Sequence, residues 1–327
     1  MSSNTLKIVL NALYIITLLI VASILTFSLS SFITFSIIPG ETYKKDEIKI
    51  TSHNVKFVKI NGINFAIATP EANPCQVILV IHGWGKSSKN MLFTVNLMNK
   101  FATNSIFILV DLPKHGLSDN PPFFSFGPVE TAAVLNSFLK LRESYKLDNL
   151  PLKILGFSVG ADIAVNLAAC LDKLGIKVKA VFAEAPFNNI KTVIRHYATE
   201  VLKLKFEIAG DTACYLYKIL WKLVSTGTHL EKTVSSKLPS YYLTPSLSWG
   251  LFPKENSEIL KQHGTHLFIF CSETDSRTPC HYLKDAVEVF RANLGSLFHF
   301  TKCKGADHGE AIEYKEMINL IKTFCLL

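Results

Sequence analysis

Apolar residues fall along this chain in short unbroken runs, separated by stretches in which they recur every three or four positions. The run QVILVI places five consecutive apolar residues at 77–81, the pattern of a strand buried on both faces of a parallel sheet. SIFILVD (105–111), LKILGFS (152–158), VKAVFAEAP (178–186), THLFIFCSETD (265–275) and LFHFTKCKG (297–305) repeat it. Helical spacing takes over between several of them, as in 129–145 and 162–175. KFVKI (56–60) and INFAIA (63–68) flank Asn61-Gly62, a pair that predicts a hairpin because both residues tolerate the positive φ of a two-residue turn. Strands alternating with helices predict an α/β fold, a mostly parallel, doubly wound sheet led by one antiparallel hairpin. A ligand site is then expected beyond the carboxyl ends of the strands.

Two segments break this rhythm. Residues 188–262 hold helical patterns at 190–204 and 213–224 and a loop-like, aromatic-rich piece at 235–253, with no clear strand. They predict a helical lid inserted over the strand ends. The second segment, from Ile8 to Gly40, carries no charged residue. As a helix it would extend roughly 50 Å, more than the ~30 Å of hydrocarbon in a bilayer. It predicts a membrane anchor at 1–40, with one span over about 8–30, ahead of a catalytic domain at 41–327. A cleaved signal ending at Ser28-Leu29-Ser30 is the competing reading, but the apolar run continues as FITFSII past that point. Lys44, Lys45 and Lys49 beyond the span lean towards a catalytic domain on the cytoplasmic side.

Composition narrows the picture. With 327 residues, 49% of them hydrophobic, the chain can bury a sizeable core. The formal charge of +8 comes from scattered lysines and arginines without a basic run, which suits acidic lipid headgroups and not nucleic acid. Seven cysteines at 75, 170, 214, 271, 280, 303 and 325 show no paired spacing and read as buried thiols, not as a disulfide frame. The histidines show no metal-ligand spacing, so no metal site is expected.

The sharpest chemical signal is Gly156-Phe157-Ser158-Val159-Gly160, where a strand pattern turns into a helix pattern. Gly-x-Ser-x-Gly at such a junction matches a nucleophile elbow, a strained turn that exposes the serine above the sheet. Glycines are required there because side chains at 156 and 160 would strike the neighbouring strand and helix. A serine hydroxyl needs a base, and the base needs an acid to hold it. Three histidines lie late enough: His281 at a helix start, His299 inside a strand, and His308 in the loop KGADHGE after the last strand. His308 is the one free to reach Ser158. Asp275, just beyond the strand at 265–272, leads as the acid; Glu273 and Glu184 are alternatives, and Asp307 reads as a loop residue. The expected oxyanion donors are the backbone N–H groups of Val159 and Trp84. His82 and His115 read as braces of their loops.

IHGWG (81–85), DLPKHGLS (111–118), GFSVG (156–160), Asp275-x-x-x-Pro279 and ADHG (306–309) occur together and in this order. In these motifs the chain resembles the α/β-hydrolase superfamily, in particular serine hydrolases similar to monoacylglycerol lipases and lysophospholipases. The resemblance covers about 50–187 and 264–325. It implies Ser158, His308 and Asp275 as a triad, no metal or diffusible cofactor, and an acyl ester as substrate. Phe157 departs from the histidine many relatives carry inside the elbow. The aromatics Tyr215, Tyr217, Trp221, Tyr241, Tyr242 and Trp249 in the expected lid favour a lipid ester, at a bilayer surface. Thioesters, small esters or peptides fit the same machinery, and a silent membrane-tethered interaction module is the reading from another class.

Overall fold

The computed structural model describes residues 39–121, 124–202 and 248–327, together with scattered positions at 14–26 and 214–215. Eight strands form one sheet: β1 (His53–Ile60), β2 (Ile63–Pro70), β3 (Gln76–Ile81), β4 (Ser105–Asp111), β5 (Leu152–Phe157), β6 (Val178–Glu184), β7 (His266–Ser272) and β8 (Phe298–Cys303). Their order is β1-β2-β4-β3-β5-β6-β7-β8. β1 and β2 run antiparallel, joined at Asn61 (φ 49°) and Gly62 (φ 79°) as the hairpin signal predicts. β2 also pairs antiparallel with β4. Every later pairing is parallel.

The unbroken apolar runs arise because alternate residues of each strand enter different layers. Val77, Leu79 and Ile81 of β3 join one core, and Ile78 and Val80 join the other. The first core is covered by α2 (Pro128–Ser144), α3 (Val159–Lys173), α5 (Pro253–His263) and α6 (Lys284–Leu294). The second lies under α1 (Leu92–Asn99) and α7 (Lys315–Leu326), through Val95, Met98, Met317, Ile321 and Phe324. The chain leaves β3 for β4 on one side and then crosses back to β5 on the other. That reversal opens a crevice at the carboxyl end of β3 and β5.

The stretch expected to form the lid divides. It begins with α4 (Ile190–Leu202), and residues 203–247 lie outside the described residues apart from 214–215. Its far end is core: α5 packs on α3 and α6, and Asn189 bridges Gly250. Trp249, expected among lid aromatics, is fully buried against Gly127 and Phe187. Its indole is large enough to fill the space that Gly127 leaves. Tyr215 is exposed; Tyr217, Trp221, Tyr241 and Tyr242 lie outside the described residues.

Among the described residues no helix is long and apolar enough to cross a membrane. Most of the stretch at 8–40 expected to do so lies outside them. The positions described between 14 and 26 are helical, and Tyr14, Ile15, Leu18, Leu19, Val21 and Leu25 are exposed there.

The cysteine expectation needs correcting. Cys271 and Cys280 form a disulfide, while Cys170, Cys214, Cys303 and Cys325 are buried thiols and Cys75 is exposed. A separation of nine residues gave no signal, because the pairing depends on how the loop after β7 folds back. Closing a loop of this length stabilises by about 2–3 kcal/mol on the chain-entropy account. Cys280→Ser is therefore expected to lower the denaturant midpoint of the oxidised protein, and reductant should move wild type to the same value. A midpoint indifferent to both would show the pair to be reduced in the native protein.

Candidate active site

Ser158 stands between β5 and α3 with φ 55° and ψ −126°, a conformation that is strained for a residue with a side chain. Its neighbours explain how the turn is enforced. A methyl group on Gly156 would lie 2.0 Å from the Gly160 carbonyl oxygen, and one on Gly160 would lie 2.3 Å from that of His82. Helix and strand thus approach to a spacing that only glycine permits, from both sides. The Ser158 N–H donates to the Glu184 carbonyl (2.8 Å), tying the elbow to β6.

His308 arrives from the loop after β8. Its Nε2 lies 3.1 Å from Ser158 Oγ, and its Nδ1 lies 2.8 Å from Asp275 Oδ2. With a carboxylate beside Nδ1, that nitrogen is assigned the proton, which leaves Nε2 to accept from the serine hydroxyl. The two ring nitrogens are thereby committed in opposite senses.

Asp275 sits in a turn between β7 and the disulfide partner Cys280. Its Oδ1 accepts the backbone N–H groups of Arg277 and Thr278, both at 2.8 Å. Thr278 Oγ1 donates to the Ala185 carbonyl (3.1 Å), and lies 3.1 Å from Asp275 Oδ2 and 3.3 Å from His308 Nδ1. Burial pushes the Asp275 carboxyl up. The hydrogen bond and charge attraction from His308, with the backbone N–H groups of Thr278 and Arg277, outweigh that and hold it below the usual carboxylate range.

The remaining candidates fall away for visible reasons. Glu273 is paired with Lys302 at the surface. Asp307 accepts the Ser276 N–H at 2.8 Å, which joins the acid's loop to the loop of His308. His299 is stacked on Phe268 in the sheet, with ring centroids 4.2 Å apart; His281 lies beside Tyr282 on a short 3-10 turn. Glu184 is different: it is buried and reaches the same cavity as Ser158.

The two early histidines are braces. His82 Nδ1 lies 2.7 Å from the Gly83 carbonyl oxygen, and its Nε2 accepts the Leu112 N–H at 3.0 Å. His115 Nδ1 lies 2.8 Å from the Pro113 carbonyl oxygen, and its Nε2 accepts the Gly85 N–H at 3.0 Å. Each ring has one donating and one accepting nitrogen, which requires the neutral form. Burial, helped by neighbouring His82, pushes His115 down to about 3. Between them the pair holds the loop at 82–85, and a methyl on Gly83 would lie 3.1 Å from Ser158 Cβ. Trp84 in that loop lines the cavity. Val159 opens α3, so its N–H has no acceptor within the helix.

The cavity over Ser158 measures about 710 Å³ and is walled by Trp84, Phe93, Phe126, Phe157, Phe187 and Tyr314, among others. Phe93 is 59% exposed, which leaves an apolar rim. Phe157 packs beside His308, ring centroids 4.9 Å apart, so the residue that replaces a histidine in the elbow confines the imidazole. Sequence reasoning missed Thr278 and the aromatic walls. Thr278 carried a signal in principle, since a threonine three residues after an aspartate can close a turn on it; Phe126 and Phe187 carried none beyond being apolar. Among the described residues no group of three His, Cys, Asp or Glu side chains is arranged to hold a metal ion.

No protein-family model matches this sequence, and no curated protein resembles it closely enough to count as a relative. Solved structures do resemble it. An esterase from Pyrococcus furiosus superimposes with a TM-score of 0.57 at 15% identity, over 88% of this chain and 96% of the other. Carboxyl esterase 2 from the fungus Tuber melanosporum gives 0.56 at 15% identity, over 88% and 89%. An acylaminoacyl peptidase from Pyrococcus horikoshii gives 0.54 at 16% identity, over 85% of this chain and 41% of that one. At such identities the likeness speaks of architecture alone, and the architecture, a mostly parallel sheet with the serine elbow after β5, is the α/β-hydrolase fold.

Proposed function

We propose that this protein is a serine hydrolase that cleaves carboxylic esters through an acyl-enzyme on Ser158. The observation that carries the reading is His308 bridging Ser158 and Asp275 through its two nitrogens, at 3.1 and 2.8 Å. As Ser158 Oγ attacks the ester carbonyl, His308 Nε2 takes the hydroxyl proton and becomes an imidazolium, which Asp275 stabilises. The carbonyl oxygen turns anionic and receives the N–H groups of Val159 and Trp84. Collapse of the tetrahedral adduct expels the alcohol, which leaves with the proton from Nε2. Water, deprotonated by the same nitrogen, then attacks the acyl-enzyme and releases the carboxylic acid. No step requires a cofactor.

The preferred substrates are lipid-like acyl esters such as a monoacylglycerol or a lysophospholipid. Support comes from the aromatic walls, the exposed Phe93 at the rim, and the uncharged stretch from Ile8 to Gly40. We read that stretch as a single membrane anchor near 8–30, which would bring the cavity to a bilayer surface. The same machinery serves thioesters and peptides, the latter being the class named for the Pyrococcus horikoshii neighbour.

A panel of esters that differ only in acyl length tests the reading. Each buried methylene is worth about 0.8 kcal/mol, so kcat/KM is expected to climb roughly fourfold per added carbon until the cavity is filled. A flat or falling series removes the lipid preference. Failure to hydrolyse any ester, beside turnover of a thioester or peptide, moves the protein to that class.

A further inference from the structure

Glu184 is the last residue of β6, flanked by Phe157 of β5 and Phe270 of β7. The next residue, Ala185, has φ 50°, in the left-handed region that favours glycine. It is held there from both ends: its N–H donates to the Phe270 carbonyl (2.8 Å), and its carbonyl accepts Thr278 Oγ1 (3.1 Å). A strained turn tied down in this way fixes the direction in which the Glu184 side chain leaves the sheet. That side chain is only 5% exposed and lines the same cavity as Ser158 and His308.

Its carboxyl group makes no hydrogen bond to any described residue. His308 Nδ1 is already occupied by Asp275, so Glu184 is not a second acid for the imidazole. The carboxyl oxygens still face the cavity, where water can meet them, and a substrate that displaces such water has to replace its hydrogen bond. The simplest partner for a carboxyl group facing a substrate cavity is the substrate.

We propose that Glu184 is a specificity residue whose carboxyl group hydrogen-bonds a hydroxyl next to the scissile bond, so that the site selects acyl esters of polyhydroxy alcohols such as glycerol. The inference rests on the esterase reading given above. Burial, with the charge of nearby Asp275, pushes this carboxyl up to about 8, so at neutral pH it is an uncharged acid. In that form it can donate and accept at once, as a hydroxyl also does, and it adds no negative charge beside the developing oxyanion. The nearby charge is that of Asp275, and the other charged and titratable groups on the cavity wall are Lys86 after β3, Arg277 after β7, and His308, Glu310, Glu313 and Tyr314 after β8. Above about 8 the group ionises, loses its donor and repels the oxyanion, so the preference should fall as pH rises through that value.

The test uses the full chain and two esters of one fatty acid, the 1-monoacylglycerol and the methyl ester, and reads the ratio of their kcat/KM values. Wild type is expected to favour the glycerol ester by about tenfold at neutral pH. Glu184→Leu should bring the ratio close to one. Glu184→Gln, which keeps a donor and an acceptor and does not titrate, should retain most of the preference and hold it at alkaline pH where wild type loses it. An equal ratio in wild type and the leucine variant overturns the proposal. Should the leucine variant not fold, the pH comparison decides, and parallel declines in wild type and Glu184→Gln overturn it. Wild type inactive on both esters takes down the esterase reading as well, whereas active wild type with an unmoved ratio takes down this inference alone.

Discussion

Ser158→Ala is expected to lower kcat on any ester that the wild type hydrolyses by a factor on the order of 10⁴ to 10⁶, and to abolish covalent labelling by a fluorophosphonate. The reason lies in the geometry: His308 Nε2 faces Ser158 Oγ at 3.1 Å, and without that hydroxyl the base has no nucleophile to activate. His308→Ala should cost about as much in kcat, because the groups act as a unit and their losses do not add. The alanine keeps the Cβ of Ser158, and with it the same backbone strain at φ 55°, so the variant should fold as well as wild type. Labelling that survives in Ser158→Ala would mean a different nucleophile. Labelling absent from wild type, with the protein folded, would favour the silent interaction module.

Asp275→Asn is the second large effect, about 10⁴ in kcat, the size known from the equivalent change in serine proteases. Oδ1 of Asp275 already accepts two backbone N–H groups, so the asparagine must turn its NH₂ towards His308. The imidazole can then meet that donor only with an unprotonated Nδ1, which places its proton on Nε2, facing Ser158. A base that already carries its proton there cannot take another from the serine. The same variant has a signature in stability. Because the folded carboxyl is held below its ordinary value, its contribution is fully present above the unfolded value of about 3.9 and is lost as pH falls through the lower folded value. Wild type should therefore weaken in that acid window, and Asp275→Asn should lack this component. An asparagine variant within tenfold of wild-type kcat would overturn Asp275 as the acid.

Local physics accounts for what could be read in advance. Apolar runs located β3 to β7 because a sheet covered on both faces dictates nearly every position in the strand, β8 at the sheet edge showed only a partly apolar run, and Asn61-Gly62 located the hairpin because few pairs accept its backbone. The elbow was legible because two steric contacts, at Gly156 and Gly160, allow no other residue. His308 emerged by exclusion, since the other late histidines sit in elements that cannot reach the strand ends. Loop placement was harder. Thr278 and the Asp307–Ser276 tie are short contacts between segments some thirty residues apart, between Ser276 and Asp307, and nothing in either segment announces the other.

The sequence by itself thus determined the layers and the strained turn at Ser158, because periodicity and steric exclusion act between near neighbours, and it singled out His308 and Asp275, which the fold brings to that serine. Only the tertiary structure decided that Cys271 meets Cys280, that Trp249 fills the core behind Gly127, and that Glu184, little exposed, shares the cavity with Ser158. Those outcomes depend on which distant surfaces shut out water from a given side chain, and desolvation is a property of the folded assembly, not of any stretch of chain.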